Sequence, residues 1–518
     1  MRLVKMCAYA MIEPIKYDGR APRSGERTTL KMRKLPNIVY ILADDMGYGD
    51  VSCLNPDSKL NTVNIDAMAR GGMRCTDMHS TSAVCTPSRY GILTGRYNWR
   101  SRLKSGVIGG YTEPLIETDR RTVADMMRGA GYVTGCVGKW HLGLDWAKTP
   151  GVSEPANFAA MDGVDYSKPV YGGPLDHGFD RYFGISASLD MPPYVYIDGR
   201  NATALPDHET AAEGQRFWRK GPTAPDFDHE QVLPKLTERA LEWIDEWADR
   251  PFFIYFPLPA PHTPILPTPE FQGKSGTNSY GDFVLMVDDV VGQVCAKLRE
   301  KGIYDDTLVI FTSDNGCSPM ADYPALLAAG HNPSYVFRGH KADIYEGGHR
   351  IPFVASWPNG IPAGSERAQT LCLSDLMATA AELIGENLPD DMGEDSVSEL
   401  AVWQGRSDAP VRDYTVHHSI DGSFSIRRGK WKLELCKGSG GWSDPKPGEE
   451  PADAPDMQLY DLSADISERR NLISEHPDIV KELTDKLIEY IKNGRSTPGA
   501  PQPNADQEFF DTYAWYRP

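Results

Sequence analysis

PNIVYILADD, residues 36–45, is an unbroken apolar run rich in β-branched side chains that stops at two carboxylates. A run of this length without alternation reads as a central parallel strand, covered on both faces, rather than a half-buried edge. The same pattern returns in YVTGCVGKW (132–140), PFFIYFPL (251–258) and TLVIFTSDNG (307–316), each ending in polar residues. Helix-like stretches lie between them: NTVNIDAMARGG (61–72), TVADMMRGAGY (122–132) and YGDFVLMVDDVVGQVCAKLREKG (280–302), the last with Gly302 placed to cap its end. This alternation predicts an α/β fold, a large and mostly parallel central sheet flanked by helices, with its polar groups gathered at the C-terminal strand ends.

From about residue 406 the pattern changes. DYTVHHSIDGSFSIRRGKWKLELCKG (413–438) alternates and turns like an antiparallel meander, and HPDIVKELTDKLIEYIKNG (476–494) reads as a closing helix. These predict a main domain over 34–405 and a smaller α+β subdomain over 406–518. GSGGWSDPKPGEEPADAPD (438–456) reads as a surface excursion, and the aromatic PGAPQPNADQEFFDTYAWYRP (498–518) as a segment that packs on the body.

The 518 residues suffice for a large core, and a net charge of −18 disfavours nucleic acid or an anionic membrane as partner. No apolar run approaches the roughly 20 residues of a membrane span. The start, MRLVKMCAYAMIEPIK, is cut by Glu13 and Pro14 and shows no small-residue cleavage site. Residues 1–33 therefore read as disordered or as a start-site artefact, with Met32 the alternative start and no signal peptide. Nine cysteines without paired spacing fit reduced thiols, and a cytoplasmic location is the expectation.

The chemistry-bearing residues sit at the strand ends. Asp44 and Asp45 could be a solvated cap or metal ligands; Asp314 and Asn315 could be a tight turn or, with the first pair, part of a hard-oxygen cage suited to Ca2+ or Mg2+. Lys139 and His141 follow a second strand and His262 a third, while RGHKADIYEGGHR supplies His340, Lys341, His349 and Arg350. Any one of these reads as a surface or core residue; together they suit oxyanion stabilisation and proton transfer beside a metal. In SAVCTPSRYGILTGR (82–96), Cys85 could be a core thiol, a redox sensor, a nucleophile or the precursor of another group.

CTPSRYGILTGR resembles the signature of the type I, formylglycine-dependent sulfatases of the alkaline phosphatase superfamily. ADDMGYGD, GKWHLG, PHTP, SDNG and the K…EGG…R segment resemble the family's remaining motifs in the family's order, over roughly residues 35–475. The chain looks nearest the N-acetylgalactosamine 6-sulfatase and arylsulfatase A branch. The resemblance implies an alkaline phosphatase-like fold and a sulfuric ester hydrolase. It implies that Cys85 is converted to formylglycine by a formylglycine-generating or anaerobic sulfatase-maturating enzyme. The aldehyde hydrate carries two hydroxyls on one carbon, so one can attack sulfur and the other can later expel sulfate. Asp44, Asp45, Asp314, Asn315 and an oxygen of modified Cys85 are implied to hold Ca2+, with Mg2+ an alternative. Arg89, Lys139 and Lys341 would offset sulfate charge, His262 would protonate the leaving alcohol, and His141 would take the proton from the second hydroxyl.

Substrate choice falls to loops inserted between strands. Asp190, Tyr194 and Tyr196, in GISASLDMPPYVYIDGRNATALPD, and His417 and His418 either line a sugar pocket or serve loop packing. A small sulfated saccharide is the expected substrate. The competing readings are a formylglycine-dependent phosphomonoester or phosphonate hydrolase and a non-catalytic sulfated-glycan binding protein.

Overall fold

The computed structural model describes residues 35–516, so the expectation for residues 1–33 lies outside the described residues. Its main sheet has ten strands: β1 (Asn37–Asp44), β2 (Met73–Cys75), β3 (Val133–Lys139), β4 (Arg181–Ile185), β5 (Ile197–Asp198), β6 (Asn201–Ala202), β7 (Phe252–Pro261), β8 (Thr307–Ser313), β9 (Phe353–Ser356) and β10 (Ser365–Arg367). They lie in the order β10-β2-β9-β8-β1-β7-β3-β4-β5-β6. The five central strands, β8 to β4, run parallel. At one side β9 is antiparallel to both β8 and β2, and at the other β5 and β6 form an antiparallel edge. Every residue of β1, β7 and β8 is buried, which is why these strands read as unbroken apolar runs.

Seven helices matter to the site and its support: α1 (Val63–Gly71), α2 (Cys85–Thr94), α3 (Val123–Gly129), α4 (Val232–Glu246), α5 (Ser279–Glu300), α6 (Leu376–Ile384) and α7 (Pro477–Asn493). α4 and α5 pack on each other and on β7, and α1 packs on α5; α2, α3 and α6 form a second group, with α3 against β3. α5 begins at Asn278, whose side chain accepts a hydrogen bond from Gly281 N. It ends at Glu300, two residues before Gly302, which takes the left-handed conformation expected after a helix C-terminus (φ 67°).

The C-terminal meander forms a second, antiparallel sheet, β11 (Tyr414–His418), β12 (Phe424–Arg428), β13 (Trp431–Glu434) and β14 (Gln458–Asp461), in chain order, with α7 packed on β12 and β13. Its core holds Val416, Phe424, Ile426, Leu433, Leu483, Leu487 and Ile491 together with Trp99 and the tail residues Phe510 and Tyr516. The aromatic tail thus packs on the body, as its composition predicts. The 438–456 excursion is split: Gly438–Gly441 are buried, and most positions from Trp442 onward are partly or fully exposed.

Between the two sheets lies a buried polar network. Arg427 grips both oxygens of Asp77 at 2.9 Å, while Lys432 donates to Glu468 at 2.6 Å and to Ile344 O at 2.9 Å. Charges this deep are tolerated only when paired, so the network fixes the register of the small sheet against the large one. All eight described cysteines are free. Among the described residues no helix is long and apolar enough to cross a membrane.

Phe510 is fully buried in the second core. Phe510→Ala should cost about 3–5 kcal/mol, the usual loss for a deleted buried aromatic, and urea unfolding followed by tryptophan fluorescence checks it.

Candidate active site

The C-terminal ends of β1, β3, β7 and β8 bring together residues that are distant in sequence. Asp44 ends β1, and Asp45 turns sharply out of it in the left-handed region (φ 65°). Two hydrogen bonds fasten the turn to the neighbouring strand: Asp45 N donates to Asp314 Oδ1 at 3.3 Å, and Met46 N to Ser313 Oγ at 3.0 Å. Asn315 Nδ2 donates to Asp45 Oδ1 at 2.7 Å. β3 delivers Lys139, and the chain reverses at His141, also left-handed (φ 57°). Gly138 (φ 135°) is required beside them, because a Cβ there would lie 2.0 Å from Pro257 O.

α2 supplies Cys85 as its first residue and Arg89 one turn later, and all ten of its residues are buried. The helix can lie this close because Gly91 faces Thr81, and it ends on left-handed Gly95. Arg89 is the centre of the arrangement. Its Nε and Nη2 donate to Asp314 Oδ2 at 3.0 and 2.7 Å, its Nη1 donates to Lys139 O at 2.9 Å, and Nη2 lies 3.6 Å from Asp44 Oδ1. Lys139 Nζ contacts Asp44 Oδ2 at 2.5 Å, and Lys341 Nζ contacts Asp45 Oδ2 at 2.7 Å.

These contacts set the protonation states. Burial would raise the Asp44 carboxyl, but Lys139, His262, Arg89 and Lys341 together hold it well below the usual range. Burial and the adjacent Asp44 push Asp314 up to about 7, against the pull of Arg89. Burial pushes the Cys85 thiol up, with Lys139 and Lys341 opposing. Lys341 is raised, because Asp45 outweighs the cost of burial.

The two histidines differ. His141 is fully buried; its Nε2 donates to Ile108 O at 2.7 Å, which leaves Nδ1 as a lone pair, and that atom has no partner. Burial, Lys139 and Arg89 hold its pKa well below the ordinary value, so the ring is neutral. His262 is slightly exposed; its Nδ1 donates to Thr263 O, and its Nε2 lies 3.5 Å from Asp45 Oδ2.

Hard oxygen donors are available for a cation here. Asp44 Oδ1 and Asn315 Oδ1 are buried without a hydrogen-bond partner, and Asp44, Asp314 and Cys85 present ligand atoms within 4.8 Å of one another. Carboxylate and amide oxygens in this number suit Ca2+ or Mg2+.

Among the described residues, none of the five named for a sugar pocket makes a side-chain hydrogen bond to a residue of this cage. Tyr194 is buried and donates to Arg219 O at 2.5 Å; Tyr196 is buried and stacked on Phe183. Asp190 pairs with Arg219 Nη1 at 2.5 Å. His417 stacks on His349 at 4.0 Å in a buried cluster that includes His79, and His418 packs on Phe424. These are packing contacts, and they leave the Tyr196 hydroxyl, His417 Nε2 and both ring nitrogens of His418 buried without a partner. The residues that sequence reasoning passed over are Ser186 and Ser188, just beyond β4. Ser186 O accepts from His141 N at 2.9 Å, and both hydroxyls are buried without a partner. β4 is partly polar at its start, so its end did not stand out as a site.

The sequence model of the family described as Sulfatase matches residues 36–386. The N-acetylgalactosamine-6-O-sulfatase of Bacteroides thetaiotaomicron is 33% identical, over 88% of this chain and 93% of that protein. Human arylsulfatase A is 32% identical over 89% of each. A Bacteroides thetaiotaomicron sulfatase, solved in a study of the metabolism of multiple glycosaminoglycans, superposes with a TM-score of 0.75 at 32% identity, over 88% of this chain and 99% of that one. The phosphonate monoester hydrolase of Agrobacterium radiobacter shares the fold, with a TM-score of 0.57 at 18% identity over 88% and 95% of the two chains.

Removing the buried Arg89 guanidinium leaves Asp314 and Lys139 O unanswered in a low-dielectric site. Arg89→Ala should lose about 3–5 kcal/mol of stability. Arg89→Lys keeps the charge but cannot form the fork, so it should fall between wild type and Ala in thermal unfolding.

Proposed function

Because this chain belongs to the sulfatase family and is a sulfuric ester hydrolase, we propose that it removes sulfate from a small sulfated saccharide of the N-acetylgalactosamine 6-sulfate kind, using an aldehyde made from Cys85. The observation that carries this reading is the setting of Cys85: the first residue of a buried helix, grouped with Asp44 and Asp314 and facing the fields of Lys139 and Lys341. A thiol raised by burial is a weak nucleophile at neutral pH, whereas an aldehyde hydrate needs no thiolate. Because Cys85 is 2% exposed, a formylglycine-generating or anaerobic sulfatase-maturating enzyme would act before α2 is buried.

Asp44, Asp45, Asp314, Asn315 and the oxygen made from Cys85 would hold Ca2+ or Mg2+, which when bound would draw charge from the sulfate oxygens and acidify a neighbouring hydroxyl. The chain's own groups supply the rest. Arg89 fixes Asp314 and stays beside residue 85. Lys139 and Lys341, held against Asp44 and Asp45, set positive charge where sulfate oxygens would lie. His262 stands at the more open side, with Asp45 as counter-charge for a proton on Nε2, and would give that proton to the departing sugar oxygen. His141 keeps an unprotonated Nδ1 in the interior and would accept the proton of the second hydroxyl.

Peptide mass over residues 82–96 should show conversion of Cys85 to an aldehyde in active protein. Cys85→Ala should fold and lack turnover; full activity in that variant would refute the mechanism. Faster hydrolysis of nitrophenyl phosphate than of nitrophenyl sulfate would point to the phosphoester reading, and tight binding of sulfated saccharide without turnover by converted protein would point to the binding reading. Chelation should lower the rate, and Ca2+ or Mg2+ should restore it.

The histidines separate by leaving group. A sugar alkoxide needs a proton in the transition state far more than a nitrophenolate does. His262→Ala should therefore slow sulfated-saccharide hydrolysis by about 10²- to 10⁴-fold and nitrophenyl sulfate much less. His141→Ala should slow both alike, because expulsion of sulfate is common to both substrates. Equal losses for His262→Ala on the two substrates would remove it from the acid role.

A further inference from the structure

One large aromatic side chain near the site has no part in this chemistry. Trp442, in GSGGW after β13, is 40% exposed. The only other exposed aromatic among the described large apolar residues is Tyr171, and the Arg200 guanidinium lies over its ring at 4.8 Å. Among the described residues no ring or cation stacks on Trp442.

Its backbone is nonetheless tightly fixed. Asp343 Oδ1 accepts hydrogen bonds from Trp442 N at 2.7 Å and Ser443 N at 2.9 Å, and Ser443 Oγ donates to Asp343 Oδ2 at 2.5 Å. Ile344 N donates to Ser439 O at 2.7 Å. A Cβ on Gly441 would sit 2.5 Å from Ala342 O, so the close approach of these two stretches depends on that glycine. An immobilised loop that leaves an indole exposed is the arrangement of a binding anchor, since the entropy of ordering it has already been met.

The loop that carries the indole is tied through Asp343 to the stretch that carries Lys341. Asp343 is two residues from Lys341, at most about 7 Å of chain, and Lys341 Nζ rests on Asp45. In the same knot Ala342 N donates to Ala83 O at 2.8 Å, and Ala83 is two residues before Cys85. The small sheet enters it too: Ala83 N donates to His418 O at 2.9 Å, and Ile420 N to Ala342 O at 3.0 Å.

We propose that Trp442 is a stacking platform for a pyranose ring of the substrate, next to the ring that carries the sulfate. This rests on the sulfated-saccharide reading above. One face of a pyranose presents several C–H groups, which pack on the electron-rich indole face, so the contact combines apolar burial with weak C–H attraction. An indole has no formal charge to offer a sulfate, and an aryl group bound through its own sulfate would take the place of the sulfated ring and stop short of a platform one ring further on. Specificity for saccharide over small aryl sulfates would then come from the C-terminal part of the chain.

The test compares kcat/KM for a chondroitin 6-sulfate disaccharide with that for nitrophenyl sulfate in wild type, Trp442→Ala and Trp442→Phe. The ratio of the two should fall at least tenfold in Trp442→Ala, through KM, and Trp442→Phe should recover most of it. An unchanged ratio in Trp442→Ala, with wild type hydrolysing the disaccharide, overturns the platform and leaves the saccharide reading standing. Equal losses on both substrates overturn it as well, because they mark a structural role for the loop. A wild-type enzyme active on nitrophenyl sulfate but on no sulfated saccharide overturns the saccharide reading and the platform with it.

Discussion

The fork between Arg89 and Asp314 is the contact on which the site depends. One buried guanidinium joins the end of β8 through two hydrogen bonds, the end of β3 through Lys139 O, and the helix that carries Cys85, with Asp44 of β1 within 3.6 Å. Burying such a charge is costly, and well-packed apolar groups could hold the same elements as firmly. They could not define the geometry as narrowly. A planar fork fixes direction as well as distance, and its three buried hydrogen bonds hold the charge in one place at the end of a side chain that would otherwise swing.

The backbone around this contact is held in conformations a free chain would avoid. Asp45 and His141 are both left-handed without being glycine, and each is the residue at which a central strand hands over to the site. Their neighbours hold them there: Asp314 Oδ1 and Ser313 Oγ at the first turn, Ser186 O and Ile108 O at the second. The fully buried parallel sheet beneath absorbs the cost, of the order of 1–3 kcal/mol for each such residue. Rigidity at the strand ends and strain just beyond them therefore have one origin, the close packing of β1, β3, β7 and β8.

How much of this was legible in the sequence follows from how local the signal was. β1, β3, β7 and β8 are apolar runs with polar ends, and that single pattern gave the sheet, its direction and the positions of Asp44, Lys139, His262 and Asp314. The flanking β2, β5, β6, β9 and β10 are two to four residues long and take their pairing from distant partners, so no periodicity marks them. His417 and His418 could line a sugar pocket or serve packing, and nothing local in the sequence separates the two. Each is drawn into the interior, one by His79 and His349 and the other by Phe424, through contacts more than 60 residues apart in sequence, apart from that with Phe424. Tyr194 and Tyr196 were ambiguous for the same reason: an aromatic in a loop can face solvent or anchor the loop, and only Phe183, Asp190 and Arg219 decide it.

The small sheet does more than close the fold. Its strands bury Arg427 and Lys432 against Asp77, Glu346 and Glu468, so it cannot slide without separating charges that have no access to water. Through His418 O and Ile420 N it is bonded to Ala83 and Ala342, the stretches leading to Cys85 and away from Lys341. Any group carried on the loops of this sheet is therefore referenced to the cage within a few hydrogen bonds, although it belongs to a separate set of strands. That arrangement lets an exposed side chain on such a loop, as at position 442, decide the part of a substrate beyond its sulfate, while the loop's backbone and the strand ends of the large sheet keep one fixed geometry.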